Sequence, residues 1–338
     1  MTPEIEPFSL PLSRPLSTAT GTIDSREGFL VRVSIEGTTG IGEATPLAGW
    51  TEPSEECEAA LRSIDDPVAA IERDDGLRSR PAARHGLALA VLDARARAAG
   101  EPLYRHLGAT ERVERVPVNA TVGDSPPKTT ADAAVEATAA GFETVKIKVG
   151  RRSLTADLER LAAVREACPG VEMRADANGV WSRTVATRAL QATGVYGLSF
   201  VEQPVPAADL ADLSELSGGS VGVAADEAVV EHGIDAVLES GVDVVVLKPM
   251  ALGGIDRTRR AAKKAAEDGT DVVVTTTIDG AYARTAAVHL VASLHSVSAV
   301  LPAGLATGDR LTHDLCDGPS VTAGSIRVPQ HEGNIKLD

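Results

Sequence analysis

Cysteine is scarce in this chain of 338 residues, and long apolar runs are absent. The three cysteines, Cys57, Cys168 and Cys316, are odd in number and far apart, which excludes a disulfide framework and a CxxC zinc site. The only long uncharged stretch, residues 285–308, is interrupted by histidine, serine and proline, so it is not a membrane span. The acidic start, MTPEIEPF, lacks a signal pattern of basic and then apolar residues, and we therefore expect a cytoplasmic protein.

Lysine is also rare, with seven residues against 26 arginines, while the net charge is −15. This surplus of carboxylates argues against nucleic acid and membranes as partners, and it is typical of salt-adapted, halophilic proteins. Three of the seven lysines, Lys146, Lys148 and Lys248, nevertheless fall in segments with a strand pattern. A chain that uses arginine elsewhere has kept lysine at these positions, which indicates a chemical role for the amines.

Short β-branched runs alternate with Ala-rich helical segments from Val116 onward. The runs span residues 116–121, 144–149, 171–177, 198–203, 220–226, 242–248, 271–277 and 298–304. This alternation predicts an α/β fold with a parallel (β/α)8 barrel of the TIM type. A doubly wound open sheet is the alternative fold, but no glycine-rich phosphate turn follows the first run.

The segment before the barrel has a different pattern. Residues 27–47 indicate a hairpin with glycines at its turns, and residues 81–100 indicate a helix that ends at a glycine. We therefore predict an α+β domain over residues 1–110 and the barrel domain over residues 111–305. The tail, residues 306–338, is too short to fold alone, and we expect it to pack back on the N-terminal domain.

Charged residues lie at or near the ends of the predicted strands: Lys146, Lys148, Asp176, Glu202, Asp226 and Lys248. Active sites of (β/α)8 barrels form at the carboxyl ends of the strands, so we expect these side chains to converge at the barrel mouth. Three carboxylates that point at one place raise one another's pKa unless a cation lies between them. Oxygen ligands without Cys or His nearby favour Mg²⁺.

The neighbouring charged pairs have different expected roles. Lys146 and Lys148 point to the same side of a strand, so one can react while the other tunes it, and we expect Lys148 to take a proton from carbon. Asp226 and Glu227 point to opposite sides if the strand is regular, so only one can bind the metal directly. We choose Asp226, with Glu227 beside it, and the reverse order stays open.

The segments KIKV, RADAN, VEQP, ADE and VLKPMALGG, in this order, resemble the enolase superfamily in its muconate-lactonizing subgroup. The resemblance covers nearly the whole chain and implies that the N-terminal domain caps the barrel. It also implies that Asp176, Glu202 and Asp226 bind Mg²⁺, with Mn²⁺ as an alternative, and that Lys148 and Lys248 flank a small carboxylate substrate on opposite faces. The implied chemistry is removal of a proton next to that carboxylate, through an enediolate that the metal stabilises.

Residues at the ends of the predicted strands seven and eight would determine which reaction of the family the enzyme catalyses. Residues 275–279 contain no histidine of the mandelate racemase type, and PAGLATGDRL lacks the Asp-x-Asp typical of dipeptide epimerases. The segments LKPMALGG and GLATGDRLTHDL resemble the o-succinylbenzoate synthases, carbon–oxygen lyases of menaquinone biosynthesis. This implies syn-dehydration of 2-succinyl-6-hydroxy-2,4-cyclohexadiene-1-carboxylate, with Lys148 as base and then acid and Lys248 as a stabilising ammonium. The alternatives are an N-succinylamino acid racemase, a dipeptide epimerase, or a metal-binding barrel without activity.

Further candidates surround this constellation. Arg174 and Asn178 flank Asp176 two residues away on either side, which makes both candidates to face the mouth beside the metal. Arg174 would pair with an acid of the site or with the substrate, or else form a structural salt bridge. Trp50 is expected either on a capping loop over the substrate or in simple packing. The remaining candidate contacts, for the succinyl group, are Thr276, Thr277 and the Gly304 backbone. The sequence leaves a monomer and a homo-oligomer equally open.

Overall fold

The computed structural model describes residues 2–18, 21–74, 76–297 and 300–337. Its N-terminal part begins with an antiparallel sheet in the order β1–β2–β3, followed by helices. The elements are β1 (Glu4–Thr18), β2 (Gly21–Ile35), β3 (Thr38–Ala44), α1 (Ser54–Arg62), α2 (Pro67–Arg73), α3 (Pro81–Ala98) and α4 (Leu103–His106). The predicted hairpin over residues 27–47 corresponds to β2 and β3, and the predicted helix over residues 81–100 corresponds to α3.

Sheet and helix approach closely in this part because β3 carries glycine where the two surfaces meet. A Cβ atom added at Gly42 would lie 1.9 Å from the carbonyl oxygen of Gly86 in α3, so only glycine fits there. Apolar residues of β2 and α3 bury their side chains in one cluster, and Met250 and Ala283 of the barrel belong to the same cluster. The N-terminal part and the barrel therefore share a core where they meet.

A short strand, β4 (Arg115–Pro117), leads into the barrel. The barrel strands are β5 (Ala120–Val122), β6 (Thr144–Lys148), β7 (Glu172–Asp176), β8 (Leu198–Glu202), β9 (Gly222–Ala225), β10 (Val244–Leu247) and β11 (Asp271–Val274). Within the described ranges, β5 to β11 form a seven-stranded parallel sheet in sequence order. The helices around it are α5 (Pro127–Ala139), α6 (Leu154–Ala167), α7 (Arg183–Thr193), α8 (Leu210–Leu216), α9 (Glu227–His232), α10 (Ile234–Glu239), α11 (Pro249–Leu252), α12 (Ile255–Glu267) and α13 (Ala281–Ser293).

The eighth predicted strand, residues 298–304, is present only as isolated bridges, and residues 298 and 299 lie outside the described ranges. Val300 bridges Val272 beside β11, and Ala303 bridges Val118 at the entrance to β5. The segment therefore closes the ring between the first and last strands, and the predicted barrel fold is confirmed. Pro302 has no N–H to donate, which explains why no continuous ladder forms there.

Side chains fill the interior of the barrel. Phe200, Ala224, Val244, Val246 and Val273 form a buried cluster inside the sheet, and the opposite faces of the strands pack on the helices in a larger cluster. Strands that are buried on both faces are typical of parallel sheets. Because the interior is packed with apolar side chains, polar groups that bind a ligand can gather only at the ends of the strands.

The tail contacts both parts of the molecule. Strands β12 (Val321–Thr322) and β13 (Ser325–Arg327) form a small antiparallel sheet with β4, just before the barrel, in the order β12–β13–β4. Further on, the backbone N–H of Asn334 donates to the Asp93 carboxylate of α3, at 2.7 Å. Single turns of 3₁₀ helix cover Gly194–Tyr196 and Gly308–Arg310. Every helix in the described part of the chain is too short or too polar to cross a bilayer.

Candidate active site

The charged side chains that the sequence singles out meet at the carboxyl ends of β6 to β10. Lys148, Asp176 and Glu202 lie at the same level, because they are direct register partners across β6, β7 and β8. Glu202 is the partner of Ala224, so Asp226 lies just beyond the end of β9, and Lys248 directly follows β10. The parallel sheet therefore delivers them to one place, as the spacing predicted.

Lys146 lies at the centre of this group. Its Nζ atom donates to both carboxylate oxygens of Glu202, at 3.0 and 2.9 Å, and lies 3.1 Å from the Asp176 Oδ2 atom. Lys146 and Lys148 share one side of β6, but Lys146 is one pleat deeper and largely buried. Its ammonium compensates the charges of two buried carboxylates.

Lys148 is the most open amine of the site, with 36% of its side chain exposed. Its Nζ atom donates to Asp176 Oδ2 at 2.5 Å and to Asn178 Oδ1 at 2.9 Å. Asn178 has a left-handed backbone, with φ of 47°, which Asn tolerates better than most residues. The same side chain donates to Glu227 Oε1 at 3.3 Å, so Asn178 links Lys148 to the next acidic residue.

Lys248 is held from two sides. Its ammonium donates to Asp226 Oδ1, and the same Nζ atom lies 3.7 Å from the centre of the Trp50 ring. Trp50 belongs to the loop after β3, so the N-terminal part supplies one wall of the site. A tryptophan face attracts a cation, which helps to fix the position of this amine. Only 10% of the Lys248 side chain is exposed.

The carboxylates have unlike electrostatic surroundings. Burial raises the pKa of Glu202 to about 7, and the Asp176 carboxylate adds to this effect while Lys146 opposes it. Burial alone would raise the pKa of Asp176 too, but Lys146 and Lys148 outweigh it and hold that pKa well below its usual range. Burial also raises the pKa of Asp226, although Lys248 lowers it in part. Three ammonium groups thus stand against three carboxylates, and burial still holds the pKa values of Glu202 and Asp226 above their ordinary values.

A divalent cation suits this donor set. Among the described residues, no three acidic, histidine or cysteine side chains converge closely enough to hold a metal ion as they stand, because ammonium groups lie between the carboxylates. Asp176, Glu202 and Asp226 nevertheless offer three buried carboxylates from adjacent strands, the oxygen ligands that Mg²⁺ prefers. Glu227 Oε2 is also buried and accepts no hydrogen bond. The residues therefore fit a metal that would take over part of the compensation.

Asp226 and Glu227 do not alternate as in a regular strand. β9 ends at Ala225, and α9 begins at Glu227, so the chain turns between the two acids. As a result Glu227 also reaches the site, through its contact with Asn178. The premise that only one of the two faces the mouth does not hold, because the strand ends before them.

Arg174 lies below the mouth, inside the barrel. Its Nε atom donates to Glu172 Oε1 at 2.8 Å, its Nη1 atom donates to the Pro302 carbonyl at 2.8 Å, and its guanidinium lies 5.1 Å from the centre of the Phe200 ring. Its face of β7 is the one that the sequence predicts, but the side chain extends towards the start of the strand. Arg174 therefore makes no contact with Asp176 or the lysines among its described hydrogen bonds.

The candidate substrate contacts just after β11 and in the closing segment form hydrogen bonds with neighbouring residues of these segments. Thr276 and Thr307 share a hydroxyl–hydroxyl hydrogen bond of 3.0 Å, and the Thr277 hydroxyl donates to Asp279. The carbonyl oxygen of Gly304 accepts from the Thr275 hydroxyl at 2.9 Å. These groups line the other half of the mouth, and the structure brings none of them into hydrogen-bond contact with the lysines.

Two polar residues beside the site escaped the sequence reasoning. Gln203 accepts hydrogen bonds from the backbone N–H groups of Asp226, at 3.0 Å, and Ala228, at 3.2 Å, and so fixes the end of β9. Glu43 of β3 accepts from the N–H groups of Gly280, at 2.6 Å, and Ala283, at 2.9 Å, at the start of α13. Gln203 stands inside the VEQP segment, which is the signal that could have found it. The backbone partners of the Glu43 carboxylate are more than 200 residues away, so no local pattern indicates its role at the start of α13.

Comparison with known proteins identifies a family and several relatives to which this chain is similar. A family model described as "Enolase C-terminal domain-like" matches residues 129–334. The hydrophobic dipeptide epimerase of Enterococcus faecalis (strain ATCC 700802 / V583) is 32% identical over 262 residues, which cover 72% of this chain and 73% of that protein. The L-Ala-D/L-Glu epimerase of Bacillus subtilis (strain 168) is 29% identical, over 87% of this chain and 85% of that protein. The o-succinylbenzoate synthase of Thermobifida fusca (strain YX) is 36% identical, but over 61% of this chain and 64% of that protein.

Solved structures agree with this result. A substrate-liganded complex of the L-Ala-D/L-Glu epimerase from Bacillus subtilis superposes with a TM-score of 0.87 at 27% identity, over 98% of both chains. The dipeptide epimerase from Enterococcus faecalis V583, in complex with Mg and the dipeptide L-Leu-L-Tyr, gives a TM-score of 0.85 at 28% identity, over 98% of both chains. The N-terminal part with its antiparallel sheet and the barrel are therefore both shared with these proteins.

Proposed function

The chain belongs to the enolase superfamily, and we propose that it is an enzyme that removes the proton on the carbon next to the carboxylate of a small molecule. The observation that carries this proposal is the pair of lysines after β6 and β10, each in contact with a different carboxylate of the candidate metal site. Because β7, β8 and β9 separate these strands in the sheet, the two amines approach the mouth from different sides. A carbon held between them is accessible to an amine on either face.

The lysines carry out the proton transfer. Lys148 is the more exposed amine, and in its neutral form it would accept the proton from carbon. Lys248, held between Asp226 and Trp50, would face the other side of the anion, where an ammonium stabilises negative charge. Mg²⁺ or Mn²⁺, when bound by the three carboxylates, would draw electron density from the substrate carboxylate and make the neighbouring C–H more acidic.

Epimerisation is the outcome that the relatives support. In this reaction one lysine removes the proton, and the other returns a proton to the opposite face of the same carbon. The reaction needs one amine on each face, which the positions after β6 and β10 supply. The two relatives that share the largest part of the chain among those described above are epimerases, and so the enzyme would be an isomerase, not the lyase expected from the sequence.

Dehydration to o-succinylbenzoate is the second candidate, and one observation favours it. The end of the closing segment, Gly304–Leu305–Ala306, offers no carboxylate for a substrate ammonium, and Leu305 is buried. Asp309, the next acid, is exposed. In this reaction Lys148 would remove the proton and, as an ammonium, give it to the departing hydroxide on the same face. Lys248 would remain charged opposite it. The Thermobifida fusca relative supports this reading over part of the chain only.

One set of assays separates the two candidates. The purified protein with Mg²⁺ in D₂O is given L-Ala-L-Glu, hydrophobic dipeptides, N-succinylamino acids and the hydroxycyclohexadiene carboxylate. Exchange of the α-proton with inversion of the carbon, followed by NMR, supports epimerisation, whereas loss of diene absorbance supports dehydration. Lys148→Ala and Lys248→Ala should each abolish exchange with inversion. If no carboxylate undergoes exchange or elimination with Mg²⁺ or Mn²⁺, the proposal is wrong.

A further inference from the structure

A buried arginine holds the backbone of the proposed base. Arg160 of α6 is fully buried, and its Nη1 atom donates to the carbonyl oxygen of Lys148 at 2.8 Å. Its Nη2 atom donates to the Gly123 carbonyl at 2.9 Å, and its Nε atom donates to the Thr130 hydroxyl at 3.2 Å. One guanidinium therefore joins the ends of β5 and β6 to α5 and α6.

An aspartate completes this anchor. Asp157, one turn earlier on α6, accepts from Arg160 Nη1 at 2.7 Å and from the backbone N–H of Gly150 at 2.7 Å. The ion pair thus contacts the carbonyl of Lys148 and the amide of Gly150, on either side of Val149. Both side chains of the pair are almost completely shielded from water, so Asp157 depends on Arg160 for charge compensation. Arg160 also lies 3.6 Å from the Asp124 carboxylate, which is a weaker second partner.

The strand ladder alone does not hold this segment on the β5 side. β5 ends at Val122, whose register partner is Ile147, so Lys148 lies one residue beyond the last pair. On the β7 side the ladder continues, because Val149 donates to the Asp176 carbonyl at 2.9 Å. The guanidinium takes the place of the missing donors on the β5 side, where a buried carbonyl would otherwise lose a hydrogen bond.

The side chain of Lys148 has no such independent support. Both of its described contacts are to Asp176 and Asn178, which belong to the candidate metal site and its surroundings. We propose that Arg160 and Asp157 are positioning residues, which fix the backbone of Lys148 so that its amine stays aligned with the substrate carbon. This inference rests on the proposed function for the role of Lys148.

The same helix provides a matched control. Arg165 of α6 also donates to backbone carbonyls, at 2.7 Å to Tyr196, 2.8 Å to Pro169 and 2.9 Å to Val171. These carbonyls precede β7 and β8, at the end of the barrel opposite the mouth. Arg160 and Arg165 therefore make similar bonds from one helix to opposite ends of the barrel, and only the first lies beside the lysine.

The test compares Arg160→Met with Arg165→Met in the full-length protein with Mg²⁺. Peptide-level hydrogen exchange should show faster exchange over residues 145–152 in Arg160→Met and not in Arg165→Met. A displaced base lowers the rate more than substrate binding, so kcat of Arg160→Met should fall roughly 10- to 100-fold while KM changes less than about threefold. Arg165→Met should keep kcat within about threefold, although unfolding midpoints of both variants fall.

Arg160→Lys serves if the methionine variant does not fold, because one amine can still reach one carbonyl. It should keep the fold and recover part of the lost kcat. Equal losses of kcat in the two methionine variants, or unchanged exchange over residues 145–152, would overturn the inference. A wild-type protein without turnover on any substrate would instead refute the proposed function, and the exchange measurement would still decide whether Arg160 anchors this segment.

Discussion

The carboxyl group of Glu43 gives the sharpest prediction about stability. It is fully buried between the capping sheet and the barrel, and it accepts from the Thr45 hydroxyl and from two N–H groups at the start of α13. Burial, together with the nearby Asp279 carboxylate, raises its pKa from 4.5 to about 7. We consider the substitution Glu43→Gln, which keeps the size of the side chain but removes its titration.

The sign of the pH effect follows from the raised pKa. In the unfolded chain Glu43 loses its proton near pH 4.5, whereas the folded protein keeps that proton up to about pH 7. The stabilisation from this group is therefore complete below pH 4.5 and is lost as the pH rises through 7. Ionising a carboxyl with such a pKa costs the folded state about 3 kcal/mol, since each tenfold change in an equilibrium constant is worth ~1.4 kcal/mol.

The substitution Glu43→Gln has a cost of its own, which is the same at every pH. Its amide N–H₂ must replace one carboxyl oxygen and then faces a backbone N–H, either of Gly280 or of Ala283, so one hydrogen bond becomes a contact between two donors. Such a loss destabilises a protein by roughly 1–3 kcal/mol. At pH 5 the variant should therefore be less stable than the wild type by that amount. At pH 8 the difference in the free energy of unfolding should close, because the wild type has lost about 3 kcal/mol of stability and the variant has not.

Urea unfolding at pH 5, 6, 7 and 8, at fixed ionic strength and without metal, measures this gap directly. Other titrating groups, including Glu202, are present in both proteins and cancel in the difference. Glu4→Gln on the exposed first strand controls for the loss of one charge and should change the free energy of unfolding by less than about 0.5 kcal/mol. A gap between wild type and Glu43→Gln that stays constant from pH 5 to pH 8 would refute the reasoning.

Three shorter predictions concern the site. Lys146→Met leaves Asp176 and Glu202 without their shared ammonium. Thermal unfolding without metal should therefore show a loss of stability of roughly 3–5 kcal/mol, and Mg²⁺ should restore part of it. A variant as stable as the wild type would contradict the charge balance described above. In a Trp181→Phe background Trp50 is the sole tryptophan, and adding Lys248→Met should change its emission; unchanged emission would exclude the ring–ammonium contact. Chelation with EDTA should abolish α-proton exchange and Mg²⁺ or Mn²⁺ should restore it, whereas full activity in EDTA would exclude a metal.

Much of the fold follows from local pattern, and the exceptions have local causes. The run over residues 144–149 becomes Thr144–Lys148 almost unchanged, because β-branched residues in a doubly buried strand leave little choice. The run over residues 298–304 does not form a regular strand, since proline interrupts its hydrogen bonds. The expected alternation of side-chain direction between Asp226 and Glu227 also fails, because β9 ends one residue before Asp226.

The candidate site was predictable to the level of strand ends and no further. Spacing brings Lys148, Asp176 and Glu202 to one level, since parallel strands share their carboxyl edge. The spacing does not reveal that the Arg174 side chain extends towards the start of β7, because a long side chain on one face of a strand can point towards either end of it. The reaction outcome stays a proposal: the absence of an Asp-x-Asp is an argument from one loop, whereas the two dipeptide epimerases described above match over more of the chain than the o-succinylbenzoate synthase does. Salt adaptation and cytoplasmic location stay predictions.

The charged groups of the site come from consecutive strands, β6 to β10, whereas β11 and the closing segment contribute only threonines and glycine to the mouth. Under the proposed function, the barrel is thus divided into a half that would move protons and a half that would surround the remainder of the substrate. Mutation can remodel the second half without disturbing the first. Such a division lets an ancestral enzyme acquire new substrates by small changes in a few loops while its inherited chemistry stays intact.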